Sequence, residues 1–159
     1  MPATPAGGRT SEPPFTPEAQ LNLSRTFNAP RDIVFRAWID PHHLAQWWGP
    51  RGCTTVIQEM DVRPGGAWRY VMHAPDGNEY PFDGVYIEIA EPERLVFDGF
   101  IHAAPAQRVW TVVTFSERAG QTEVNVRQYY TFVSGATRGA SIGWNQQLDR
   151  FAEFLEEIA

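Results

Sequence analysis

Lysine is absent: all thirteen basic residues are arginine. No mechanism that needs an amine nucleophile is therefore open, which excludes a Schiff base, lysine-held pyridoxal phosphate and the lysine of a phosphate-binding P-loop. Cysteine is nearly absent as well. The single Cys53 excludes an internal disulfide and a thiolate-built zinc or iron–sulfur site. Positive charge is scarce: 13 basic against 19 acidic residues give a formal net charge of −6, the wrong sign for a duplex-binding face. No apolar run approaches the ~20 residues of a membrane span. The stretch before Glu18 lacks the apolar core of a secretory signal. No membrane span and no nucleic-acid partner are expected, and the cytoplasm is the expected compartment.

What remains is a chain of 159 residues, 43% hydrophobic and 13% aromatic, which suits one domain with a large core. Residues 1–17 hold five of the thirteen prolines, with Gly, Ser and Thr. Such a stretch buries too little apolar surface to offset its ordering cost, so a disordered tail is expected over 1–17 and a single domain over 18–159.

Leu21, Leu23, Thr26 and Phe27 read as a first strand. Two short helices follow, the first with Pro30 at its first position and the second with Asp40 as cap and Pro41 behind it. Gly49-Pro50 ends the second. The period then changes to two, with strands over 54–62, 67–73, 82–89, 95–102, 108–116 and 122–133. Pro75-Asp76-Gly77-Asn78 and Arg118-Ala119-Gly120-Gln121 are hairpin signals. After Ser134-Gly135 the period returns to 3.6. Ala140, Trp144, Leu148, Phe151, Leu155 and Ile158 make a dry stripe, opposite a wet face of Gln146, Asp149, Arg150, Glu153, Glu156 and Glu157. The fold class is α+β: an antiparallel sheet of six or seven strands, covered by one long helix. A twisted sheet curled round one helix leaves a space between them, where a ligand would sit.

The order and spacing of several short motifs resemble one family. They are Phe27-Asn28-Ala29-Pro30 with Val34-Phe35 and Ala37-Trp38, then Trp47-Trp48-Gly49-Pro50 and Arg63-Pro64-Gly65-Gly66-Ala67-Trp68. Gly84-Val85-Tyr86, Pro92-Glu93-Arg94-Leu95 and Gly143-Trp144 with Leu148 complete them. The chain resembles the START-like (SRPBCC, helix-grip) superfamily. Within it, the likeness is to the C-terminal domain of the activator of Hsp90 ATPase (AHSA1-like). The resemblance implies a curved antiparallel sheet of seven strands wrapped round the C-terminal helix, with a cavity for an apolar small molecule. It does not imply one reaction.

Three function classes follow. The first is binding of a small, largely apolar molecule, without a cofactor. The second is an interaction module for an Hsp90-type chaperone. The third is an enzyme of the cyclase or aromatase kind. A homodimer is among the states the sequence allows. Trp68, Tyr70 and Met72 share one face of their strand; Phe82, Gly84, Tyr86 and Glu88 share one face of the next; Gln128 and Tyr130 share a face with Val124 and Val126. Gln147 flanks the stripe of Trp144 and Leu148. The ligand-binding set is therefore Trp68, Tyr70, Met72, Phe82, Tyr86, Glu88, Gln128, Tyr130, Trp144, Gln147 and Leu148. For the 82–89 strand, Val85, Ile87 and Ile89 offer an equally apolar alternative face. Gly84 is read as open space beside the ligand, and Gly135, Gly139 and Gly143 as a strip for close backbone approach.

No catalytic or metal-binding set emerges. Gly139-Ala140-Ser141-Ile142-Gly143 matches G-x-S-x-G but lies in or at the start of the last helix, and no His follows it. His42, His43, His73 and His102 lack ligand spacing. Trp47-Trp48 reads first as a packing corner and second as a cavity rim. Asp98 and Glu88 form a carboxylate pair only if register allows.

Overall fold

The computed structural model describes residues 11–102, 106–132 and 135–158, without the side chains of residues 135–138. In chain order the elements are β1 Ala19–Phe27, α1 Arg31–Ile39, α2 Pro41–Trp47, β2 Thr54–Met60, β3 Ala67–His73, β4 Glu79–Ala90, β5 Arg94–Ile101, β6 Gln107–Arg118, β7 Gln121–Tyr130 and α3 Gly135–Ile158. The strands form one seven-stranded sheet in the order β1-β7-β6-β5-β4-β3-β2. Every neighbouring pair is antiparallel. Short turns impose that arrangement on β2 to β7, and β1 closes the far edge on β7.

Local chemistry places the boundaries. Asp40 caps α2, its carboxylate accepting from the His42 and His43 amides at 2.9 and 3.2 Å. Pro30 stands one position earlier than expected: its backbone is extended, so it caps α1 and Arg31 opens the helix. The β6–β7 hairpin turns on Ala119 and Gly120, both with positive φ (54° and 78°), the two-residue turn that matches strand twist.

The inner face of the sheet meets α1, α2 and α3 in one core. Trp47, Phe35, Phe115, Phe151, Leu95 and Leu148 are its largest fully buried side chains. The aromatic rings interlock: Trp47 lies 4.3 Å from Phe151, and Trp38 4.9 Å from Trp47. The outer face carries a smaller cluster of Val96, Trp110 and Val112, against which Phe15, Ile87 and Tyr129 pack.

Phe15 belongs to the stretch expected to be a tail. Of that stretch, residues 1–10 lie outside the described residues. Residues 11–17 pass over the outer face: the Arg108 guanidinium sits 5.3 Å from the Phe15 ring centre, and Arg94 donates to the Ser11 hydroxyl at 2.7 Å. One aromatic gives a proline-rich segment an anchor that average composition hides.

Two expectations about single residues change. Arg150, placed on the wet face of α3, donates instead to backbone carbonyls of residues 46–53. Gly84 does not border open space. It pairs with Gly99 across β4 and β5, and the Trp68 indole lies over both. A Cβ at Gly84 would collide with the Asp98 carbonyl and stand 2.5 Å from Trp68 Cζ2. Gly84→Ala should therefore destabilise the protein by about 1–3 kcal/mol through overpacking. Chemical denaturation measures this directly, and an unchanged midpoint would show that the Trp68 seat is loose.

Candidate functional site

A cavity of about 360 Å³ lies between the inner face of the sheet and the first half of α3. That volume falls in the range of about 300–1,000 Å³ usual for small-molecule sites. One wall is the aromatic run Trp68, Tyr70 and Phe82 from β3 and β4. These rings stack in sequence, with centres 5.6 and 5.0 Å apart and planes within 19° and 24°. Alternation on β3 brings Trp68, Tyr70 and Met72 to the same side, and the Tyr70–Phe82 register joins the two strands. The opposite wall is α3, with Gly139, Ala140, Gly143, Trp144 and Gln147.

Polar groups in the cavity are few and ordered. Gln128 is the hub: its Oε1 accepts from Trp144 Nε1 at 2.8 Å and from the Tyr130 hydroxyl, and its Nε2 donates to Thr111 Oγ1 at 3.0 Å. An indole N–H can only donate, so the orientation of this amide is fixed. Gln147 is fixed in the same way, its Oε1 accepting from the Gly49 amide at 2.8 Å. Its Nε2 is buried and has no partner among the described residues. No described lining residue carries a charge. Burial pushes the Tyr70 and Tyr130 phenols well above the ordinary tyrosine value, so both stay neutral donors.

Of the eleven residues expected at the site, eight line this space: Trp68, Tyr70, Met72, Phe82, Gln128, Tyr130, Trp144 and Gln147. Tyr86 borders a separate space of about 40 Å³ beneath Trp38, Trp48 and Trp68, and burial raises its phenol too. Leu148 is sealed in the solid core at 1% exposure. Glu88 is on the other side of the sheet. The register slips between Tyr86 and Glu88, a bulge that breaks alternation and turns Glu88 outward to Arg94, 3.3 Å away. Asp98 also faces out, gripped by Arg108 through contacts of 2.7–3.1 Å. The two carboxylates therefore serve separate arginines.

Sequence reasoning missed Thr111, Phe97 and Val109 in the lining. Val109 and Thr111 share the parity of the buried Val113 and Phe115, a signal already present in β6. It also misjudged the glycine strip. A Cβ on Gly139 or Gly143 would meet nothing within 4 Å, so these positions leave cavity volume and make no close approach. The surroundings of Gly135 are outside the described set. Trp47 and Trp48 divide the two roles foreseen for them, Trp47 in the core and Trp48 on the cavity wall.

Ser141 sits exposed inside α3, past its first turn, and not on a tight strand-to-helix turn, so the nucleophile-elbow geometry does not form. His102 pairs with Asp83 at 2.6 Å and His73 with Glu79 at 3.5 Å, away from the cavity. Among the described residues no group of three or more His, Cys, Asp or Glu could hold a metal ion.

The family described as activator of Hsp90 ATPase homolog 1-like protein matches residues 28–156. The chain belongs to that family. Known structures repeat its fold. A Chromobacterium violaceum protein is 27% identical with a TM-score of 0.82, over 86% of this chain and 96% of that one. A Rhizobium leguminosarum protein is 29% identical with a TM-score of 0.73, over 87% and 95%. An AHSA1 protein of Silicibacter pomeroyi, 24% identical with a TM-score of 0.71 over 89% and 100%, shares the fold. No curated protein matches the chain. This is thus an AHSA1-like helix-grip domain, and no helix among its described residues is long and apolar enough to cross a membrane.

The three buried tyrosines make a pH prediction. An unfolded chain ionises its tyrosines near pH ~10, whereas Tyr70, Tyr86 and Tyr130 hold their protons in the fold. Above that pH the folded state binds more protons than the unfolded one, so stability falls as pH rises. Denaturant midpoints taken at pH ~9 and ~11 should decline, while ultraviolet titration of the native protein finds Tyr70, Tyr86 and Tyr130 un-ionised until unfolding. Ionisation of these three in a folded sample would mean that water reaches the phenols.

Proposed function

We propose that this domain binds a small, largely apolar molecule in the cavity between the sheet and the first half of α3. The observation that carries this reading is the space itself: about 360 Å³ lined by stacked aromatics and left unfilled by two helix glycines. Burial of an apolar ligand would contribute about 25 cal/mol per Å² removed from water. The Gln128 network holds Tyr130, Trp144 and Thr111 in place before a ligand arrives, which lowers the ordering cost of binding.

The cyclase-like reading calls for a cavity carboxylate or tyrosine as acid–base; the described lining holds no carboxylate, and burial keeps the lining phenols of Tyr70 and Tyr130 protonated. Asp98 and Glu88 face the opposite side. The family match supports a second reading, contact with an Hsp90-type chaperone. Stimulation of such a chaperone's ATPase by the purified domain would favour it.

Gly143→Leu separates a cavity from a packed core. The new side chain enters open space, and replacing a helix-interior glycine raises helix propensity by roughly 0.5–1 kcal/mol. Expected is a thermal midpoint equal to or above wild type, together with a loss of binding for an apolar fluorescent dye. A dye that binds both proteins equally would place its site elsewhere.

A further inference from the structure

Resting on the cavity reading, we propose that the occupant is an uncharged, flat molecule carrying a hydrogen-bond acceptor such as a carbonyl, and that Gln147 receives that acceptor. Three observations fix these properties.

The first concerns charge. An ion placed in this space would leave water without gaining a counter-ion, since no described lining residue is charged. Four arginines near the lining in sequence are engaged elsewhere: Arg51 pairs with Glu153, Arg69 with Glu59 and Arg108 with Asp98, and Arg150 holds backbone carbonyls. A carboxylate or ammonium ligand therefore has no counter-ion among the described lining residues.

The second concerns the acceptor. Gln147 is 6% exposed and lines the cavity. The Gly49 amide can only donate, so it pins Oε1 and leaves Nε2 as the other end of the amide. That nitrogen is buried, with no partner among the described residues. A buried donor without an acceptor costs free energy that a ligand oxygen would recover. Gln128 offers no such opening, because both ends of its amide are engaged.

The third concerns shape. Trp68, Tyr70 and Phe82 stack in near-parallel planes, and a flat aromatic ligand extends such a stack with its own ring.

The test is an NMR titration of the full chain with three matched probes: acetylnaphthalene, ethylnaphthalene and naphthoate. Affinity is read from the Trp indole N–H signals, and the site from the Gln147 side-chain amide. Acetylnaphthalene should bind about three- to tenfold more tightly than ethylnaphthalene, the worth of one ordinary hydrogen bond. It alone should shift the Gln147 amide protons, and naphthoate should bind most weakly. Gln147→Glu keeps an oxygen for Gly49 but loses the donor, and should lose the preference for the ketone. Gln147→Met removes the donor without adding charge, so it reads the same effect if the Glu variant does not fold. Equal affinities for ketone and hydrocarbon in the wild type, or a preference that survives both variants, would overturn the role of Gln147 and leave the cavity reading standing. Tightest binding by naphthoate would overturn the uncharged ligand class. Failure of all three probes to bind would remove the cavity reading and this inference with it.

Discussion

Five backbone carbonyls share one guanidinium. Arg150 donates to the oxygens of Gln46, Trp48, Gly49, Pro50 and Cys53 at 2.9–3.3 Å. Carbonyls at the end of a short helix and in the loop behind it have no intrahelical partner, and a cation there also meets the negative end of the helix dipole. Burial lowers the Arg150 pKa, a sign that the contact costs solvation. Gln147 adds its bond to the Gly49 amide, and Trp144 lies 5.4 Å from Trp48. Residues 144, 147 and 150 thus fasten one side of α3 to the loop between α2 and β2.

That seam divides the helix. Beyond it, Phe151, Phe154 and Leu155 fill the sheet with buried side chains. Before it, Gly139 and Gly143 fill nothing. A helix held at its middle, bulky at one end and bare at the other, cannot close the sheet along its whole length. The cavity is the consequence. Charge is sorted to match: the ion pairs Asp98–Arg108 and Glu88–Arg94 stay on the outer face, and the inner space keeps amides, phenols and an indole. Such a lining can orient a ligand by hydrogen bonds but supplies no carboxylate to move its protons.

Much of this was legible in the chain because periodicity reports which side of a strand is buried. The buried set Val124, Val126, Gln128 and Tyr130 follows strict alternation along β7, as do Tyr70 and Met72 on β3. Eight of the eleven expected lining residues rest on that parity or on the helical stripe. Parity fails where one residue is added. Ile87 enters β4 as the extra residue of a bulge and carries Glu88 to the wrong face, and no composition signal marks it. Glycines were misread for a related reason. At Gly84 the missing side chain admits the Trp68 indole, while at Gly143 it admits nothing, and a glycine in sequence does not say which. Arg150 lies beyond any pattern argument, because its partners are main-chain atoms about a hundred residues away.

The central claim is that the space under the first half of α3 is open and apolar, rather than core that the isolated helix has yet to fill. Diffraction from crystals held under xenon tests it most directly, since xenon enters apolar cavities without needing a specific contact. Expected is xenon density between Tyr70, Phe82, Gly143 and Trp144, absent in the Gly143→Leu protein. A wild-type map without xenon there, and with the Trp144 and Tyr70 side chains closed across the gap, would contradict the claim.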